Sequence, residues 1–302
     1  MSRNKGVIKN AGTDWQAVTI VLTTSFLEGV ADSLAFPKVS TVLEKSERIS
    51  TRVQRCVIIN LVLFLGCLHL LDGYVVSFFY FILKTIWGWS SGQGDEPEAA
   101  KLLLQYTYNL IWVYPIYCLS FILNSVWYQD IAEDTYNLLF NGSSTRERAS
   151  TNVSVISAIS SKAAETTISL LLETMVALLV TGLNLVPHVG PTLSFILMCW
   201  LYALYCFEFK WSSFRWSLDK RLAFIEDRWP YFLGFGLPLS CVTVFSSRFL
   251  SSGLFAILYP AFLILATATN PEARSSESKA PFRIPIFTLP QLINKCFFFF
   301  FK

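Results

Sequence analysis

Charge is what this sequence most lacks. Asp, Glu, Lys and Arg make up 15% of its 302 residues, against roughly 25% in soluble domains. Apolar residues reach 53%, and mean hydropathy is +0.49. So few polar groups cannot cover a globule of this size in water, which excludes a soluble enzyme and makes lipid the solvent. Histidine is nearly missing, with two in the chain, so general bases are scarce. The nucleophile elbow, the phosphate-cradling glycine loop, the dinucleotide glycine pattern and the HExxH zinc motif are all absent. Catalysis is not expected. No Cys-x-x-Cys pair occurs among the seven cysteines, at 56, 67, 118, 199, 206, 241 and 296. Their odd number and apolar settings argue against a disulfide framework or a metal centre, and no cofactor is expected. Cys56 reads as a buried thiol in preference to an acylation site. The opening "MSRNKGVIKNAGTDW" has no apolar signal core, so targeting is expected to fall to the first membrane helix. Basic residues flank apolar runs instead of forming a stripe, which argues against nucleic acid.

What is present is a series of long apolar runs. About 20 helical residues span a hydrocarbon core of ~30 Å, and six segments qualify: 57–83, 102–126, 166–187, 192–209, 231–247 and 249–269. The last two are joined so tightly that a hairpin re-entering from one side is an alternative to two crossings. Under a single alternating topology, 21 of the 24 basic residues fall on one side, which the positive-inside rule assigns to the cytosol together with both termini. The expected fold class is therefore an all-α membrane protein, a polytopic helical bundle with interfacial amphipathic helices. Residues 1–56 would form a cytosolic interfacial helix and basic segment, 57–269 the membrane domain with cytosolic loops 127–165 and 210–230, and 270–302 a cytosolic tail.

Three stretches outside the spans are amphipathic. Residues 15–36 set Trp15, Val18, Leu22 and Phe26 near one face, as in a helix lying among headgroups. Residues 128–140 and 211–229 alternate apolar with acidic and basic positions respectively. The first carries Asp130, Glu133 and Asp134, a candidate face for a cytosolic protein partner. The run "RWPYFLGFGLP" (228–238) follows directly on the second. Trp229, Tyr231 and Phe232 suit the membrane interface, where aromatic rings concentrate. Gly234, Gly236 and Pro238 suit close helix packing or a bend.

Four stretches stand out as motifs: "YPIYCLSFILNSVWYQDIA" (114–132), "LYALYCFEFKW" (201–211), "RLAFIEDRWPYFLGFGLPL" (221–239) and "SGLFAILYPAFLILATA" (252–268). Together they resemble the etoposide-induced protein 2.4 family. The resemblance covers roughly residues 100–270. It implies a multi-pass endoplasmic-reticulum protein needed when autophagosomes mature into autolysosomes, with ties to growth suppression and apoptosis in animals. The partners implied are the lipid bilayer and membrane or autophagy proteins on the cytosolic face. The family is distantly similar to bacterial CysZ sulfate transporters, whose fold mixes full spans with partly penetrating hairpins. An anion transporter is therefore the rival function.

Ionisable groups at bilayer depth mark functional candidates, at about 3 kcal/mol each by insertion scales. Glu173 lies well inside its span, and its neutral form or a pairing with Arg248 would make it tolerable. Glu208 sits near a helix end beside Lys210. His69 and Asp72 share a helix face and read as a local pair. Arg248, ringed by serines in "SSRFLSS", combines a guanidinium with hydroxyl donors near a helix start, a pattern that suits a small anion. The candidate functional residues are thus Glu173, Glu208, Arg248, Asp130 and Asp134.

Overall fold

A computed structural model describes residues 15–63, 66, 74, 77–79, 81, 82, 85, 102, 106–140, 174–244, 246, 248–273 and 279–288. Every regular element among them is a helix: α1 (Trp15–Ser33), α2 (Phe36–Lys45), α3 (Glu47–Asn60), α4 (Tyr114–Phe140), α5 (Thr174–Leu183), α6 (Gly190–Ser213), α7 (Leu218–Asp227), α8 (Trp229–Val244) and α9 (Arg248–Ala268). The local sequence explains the breaks. Ser46 turns extended, ends α2 and caps α3 by accepting from the Ile49 N–H, with Glu47 in the first turn complementing the helix dipole. Arg228 leaves helical geometry and separates α7 from α8, and Pro230 then sits where a helix start needs no N–H.

Four helical stretches are long and apolar enough to cross a membrane: Trp15–Lys45, Tyr106–Phe140, Gly190–Ser213 and Leu250–Ala268. Thr174–Leu183 and Trp229–Val244 are apolar but shorter. At 1.5 Å per residue α8 reaches ~24 Å, less than a full hydrocarbon core. It packs against α9, which follows it after a few residues.

The centre of the bundle is α8. Phe232, Phe235 and Leu239 are fully buried, with α1 and α6 pressed against it and α9 alongside. Two glycines make the α1 contact possible. A β-carbon at Gly29 would stand 2.0 Å from the Tyr231 carbonyl oxygen, and one at Gly234 would stand 2.2 Å from that of Phe26. On the other side, a β-carbon at Gly236 would stand 1.8 Å from the Cys199 carbonyl oxygen of α6. Backbone thus meets backbone on both sides of α8, the close approach that small residues permit between helices in lipid.

Several sequence expectations change here. Tyr231 and Phe232, placed at the interface by composition, are 2% and 0% exposed and belong to the core. An aromatic–glycine run suits a membrane boundary and a tightly packed core equally well, and only the partners decide between them. In α1 the packed face is Ser25, Gly29 and Ser33, four residues apart. Residues 128–140 are no separate amphipathic helix, because α4 continues through them. Its 27 residues give ~40 Å of helix, so its last turns extend past a ~30 Å apolar core. Helix α7 likewise sinks Leu222 and Ile225 into the core and does not lie free on a surface.

Large apolar side chains point outward on α1 (Ile20, Leu27), on α4 (Ile122, Val126) and on the π-helical turn Asn109–Val113 just before α4 (Leu110). A soluble protein would not leave such stripes open, and lipid is their natural cover.

Candidate functional site

Two polar layers tie the bundle together. The first is a buried amide cluster joining α3, α4 and α9. Asn60 and Asn124 exchange hydrogen bonds, Asn60 Nδ2 donating to Asn124 Oδ1 at 2.7 Å and Asn124 Nδ2 to Asn60 Oδ1 at 2.9 Å. Ser120 Oγ donates to Asn60 Oδ1 at 3.2 Å, and Asn60 Nδ2 also reaches the Cys56 carbonyl oxygen at 2.9 Å. Cys56 is buried against Asn124 at 3.5 Å, as a thiol and not at a free edge. Next to this cluster, Tyr128 donates to the Ala256 carbonyl oxygen at 3.0 Å, and Tyr117 donates to Ser252 Oγ at 3.4 Å.

The second layer is a collar of ion pairs where α3 and α7 begin and α4 and α6 approach their ends. Glu208 of α6 takes the Arg221 guanidinium of α7, and Arg221 Nε also donates to the Trp216 carbonyl oxygen at 2.8 Å. Lys210, next to Glu208 in sequence, points elsewhere. Its fully buried ammonium is held by the Thr269 carbonyl oxygen, by Glu272 Oε2 at 3.0 Å and by Asn270 Oδ1 at 3.4 Å. The rings of Phe140, Phe207 and Phe214 surround it at 5.8 to 5.9 Å. Trp211 Nε1 donates to the second Glu272 oxygen at 2.7 Å. A lone ammonium at such depth would be too costly, and this one has acceptors and ring faces on all sides.

Asp130 and Asp134 share one partner. Arg52 of α3 lies 3.4 Å from Asp130 Oδ2 and hydrogen-bonds Asp134 Oδ2, with Arg48 3.9 Å from the other Asp134 oxygen. The acids read from sequence as a face for a partner protein pair with α3, while Glu133 stays exposed. On α1, Asp32 accepts from the Tyr231 hydroxyl at 2.9 Å and pairs with Lys38 at 3.3 Å. Around α7, hydrogen bonding to Glu226 holds the Arg283 guanidinium above its ordinary arginine value. Burial pulls Arg228 below that value, against Asp227 and Glu272. The Arg228 plane lies over Phe224 at 4.3 Å.

Of the other residues singled out from sequence, Arg248 is the first residue of α9. Its side chain, Glu173, His69 and Asp72 lie outside the described residues, as does any pairing between Glu173 and Arg248. No group of three or more His, Cys, Asp or Glu among the described residues is placed to hold a metal. Sequence reasoning missed Asn60, Ser120, Asn124, Tyr128, Asp32, Glu226 and Glu272. Asn60 and Asn124 carried a signal, since an amide inside an apolar run requires a partner of its own kind.

The four stretches singled out by motif supply these ties. Asn124, Tyr128 and Asp130 come from the first, Glu208, Lys210 and Trp211 from the second, Arg221, Glu226 and Gly234 from the third, and Ala256 and Tyr259 from the fourth. Tyr259 donates to the Tyr205 carbonyl oxygen at 2.7 Å, and its ring lies 4.6 Å from that of Tyr128. Comparison with known proteins agrees. A family model described as sulfate transporter CysZ/etoposide-induced protein 2.4 matches residues 35–266. Protein EI24 homolog of Arabidopsis thaliana is 32% identical over 82% of this chain and 83% of its own length. Protein EI24 homolog of Dictyostelium discoideum is 27% identical over 88% of this chain and 80% of its own. Ectopic P granules protein 4 of Caenorhabditis elegans is 30% identical over 55% of this chain and 51% of its own. No solved structure matches the chain.

Proposed function

This chain belongs to the family of sulfate transporter CysZ and etoposide-induced protein 2.4, and from that membership we propose a non-enzymatic, multi-pass protein of the endoplasmic-reticulum membrane that acts in autophagy. Its step is the maturation of autophagosomes into autolysosomes. It acts by organising membrane or recruiting proteins from the cytosolic side, where both termini lie. Family membership supports the process, as does the relative whose name ties it to misplaced P granules. The observation that carries the physical part is the division of the bundle into outward apolar stripes on α1 and α4 and a charged collar at one end. Stripes of that kind hold the chain in lipid, and the collar stiffens the end offered to cytosolic partners.

The test is autophagic flux in cells that lack the protein, with the unaltered chain restored in one arm. Flux should stall and recover, and normal flux in the null cells overturns the reading. Topology has its own check. The sequons at Asn141 and Asn152 should carry no sugar, and glycosylation at Asn141 overturns the cytosolic assignment of that loop.

Anion transport is the second reading. It is favoured by the transporter named in the family description and by the position of Arg248 at the start of α9. Uptake of radiolabelled sulfate by liposomes containing the pure protein, lost in Arg248→Ala, would favour it. Uptake no greater than in empty liposomes would remove it.

A further inference from the structure

The two carboxylates that end α7 take their partners from far along the chain. Glu226 is 3% exposed. Arg283 donates Nε to Glu226 Oε2 at 2.9 Å, with Nη2 on the same oxygen, and the Phe287 N–H donates to Glu226 Oε1 at 2.9 Å. Asp227 faces Lys279 at 3.7 Å and Arg283 at 3.9 Å, and its carbonyl oxygen accepts from the Ala280 N–H at 2.9 Å. Two aromatic anchors complete the contact. Phe287 is buried in the main core. The Phe282 ring lies 5.7 Å from that of Trp229, whose Nε1 donates to the Phe282 carbonyl oxygen at 3.2 Å.

The segment that makes these contacts, "KAPFRIPIF" (279–287), is neither helix nor strand, and most of it is exposed. It is held at points: two cations on two carboxylates, one ring tilted against Trp229 and one ring inserted. Peptide ligands are held in this way, and Pro281 and Pro285 limit the backbone freedom lost on docking.

We propose that the α7–α8 corner is a peptide-binding site that the chain fills with its own residues 279–287. The matching ligand has cations at the Lys279 and Arg283 positions and aromatic rings at the Phe282 and Phe287 positions. An apolar occupant would cover the Glu226 carboxylate and leave it without a countercharge, and that state is strongly disfavoured. An incoming peptide must therefore bring its own guanidinium to the same oxygen, so the site rejects apolar segments of equal size. The inference does not depend on the cellular role proposed above.

The test uses the full-length chain in detergent and a fluorescent peptide of residues 279–288. The chain carrying Arg283→Ala and Phe287→Ala should bind the peptide saturably and at least tenfold tighter than the unaltered chain, whose own segment competes. Adding Glu226→Gln, or placing Arg283→Ala in the peptide, should abolish binding. A folded double variant that binds no peptide, or binds no tighter than the unaltered chain, overturns the proposal. Hydrogen exchange on the unaltered chain decides the matter if the variant does not fold. The Phe287 amide should exchange at least tenfold faster than those of α8, because the segment opens while the bundle stays closed. Exchange at the same rate makes the segment an integral part of the core and overturns the proposal.

Discussion

Tyr128 donates its hydroxyl to the carbonyl oxygen of Ala256 at 3.0 Å, the carbonyl that Pro260 deprives of a donor inside α9. Proline has no N–H, so the group four residues before it loses its helical bond. In lipid no water replaces that bond, and a neighbouring helix must do so. The tyrosine of the WYQDIA motif and the proline of "LYPAF" are thus one device built from two helices. Tyr128→Phe should lower stability by about 1–2 kcal/mol, because only the longer 3.5 Å contact from Asn60 Nδ2 then remains at that carbonyl. In a Pro260→Ala background, where residue 260 supplies the N–H again, the cost of Tyr128→Phe should fall by half or more. Thermal unfolding of the four proteins in detergent measures this coupling, and equal costs in both backgrounds would break the link.

The α1–α8 contact depends on steric fit at two glycines. Gly234→Ala places a β-carbon within 2.2 Å of the Phe26 carbonyl oxygen, and neither backbone can step aside without parting the helices. A loss of about 1–3 kcal/mol is expected from overpacking of this kind. Gly182→Ala in α5 is the control, since nothing lies within 4 Å of its added carbon. It should be neutral or stabilise by up to ~1 kcal/mol through helix propensity. Detergent melting of the two variants should move in opposite directions or differ by several degrees.

How much of this was legible beforehand follows from where the determining contact lies. The membrane class, the helical architecture and the tight α8–α9 hairpin depend on composition and on runs of neighbouring residues, which the sequence displays directly. The glycines of "FLGFGLP" likewise announce close packing. Sequence does not say what packs there. Tyr231 and Phe232 meet α1 and α6, elements some 200 and 30 residues away, and an interfacial ring and a core ring look alike in one dimension. Glu208 sits beside Lys210 in sequence, but a helix sends residues two apart to different faces, and its partner is Arg221, thirteen residues on in another helix. The docking of "KAPFRIPIF" was illegible for a different reason. It has no period to detect, and its anchor Glu226 lies across the α8–α9 hairpin.

The amide pair at the bundle centre gives a third prediction, in which two substitutions cost less than one. Asn60→Leu leaves Asn124 with one donor and one acceptor fewer in a buried site, at a cost of about 1–3 kcal/mol. Asn60→Leu with Asn124→Leu removes both ends of the exchange and leaves apolar contact behind. The double variant should recover at least half the loss. It should also relax the alignment of α3 against α4, because leucines pack in more than one register where paired amides accept one. Cysteine crosslinking at exposed positions of the two helices would show this as a broader set of crosslinked pairs. A double variant that is less stable than either single one would mean that the cluster does more than join two helices.

The Glu208–Arg221 pair allows structure and function to be separated. Arg221 is 5% exposed, so Glu208→Ala leaves a buried guanidinium without its carboxylate, and such losses run to about 3–5 kcal/mol. Replacing the pair by Glu208→Leu and Arg221→Met removes the stranded charge together with its partner and should be near neutral, within ~1 kcal/mol, or stabilising. Melting in detergent therefore ranks the single variant well below the double one. The double variant is then the informative one in cells. If Glu208 only fastens α7 to α6, a chain with a folded apolar substitute restores autophagic flux as well as the unaltered chain does. If the carboxylate itself meets a partner or an ion, the same stable protein reaches the membrane and fails to restore flux. Abundance alone would not separate these outcomes, so flux is compared at matched protein levels. Restored flux would assign Glu208 to holding the collar together, and its failure would make the collar a working surface.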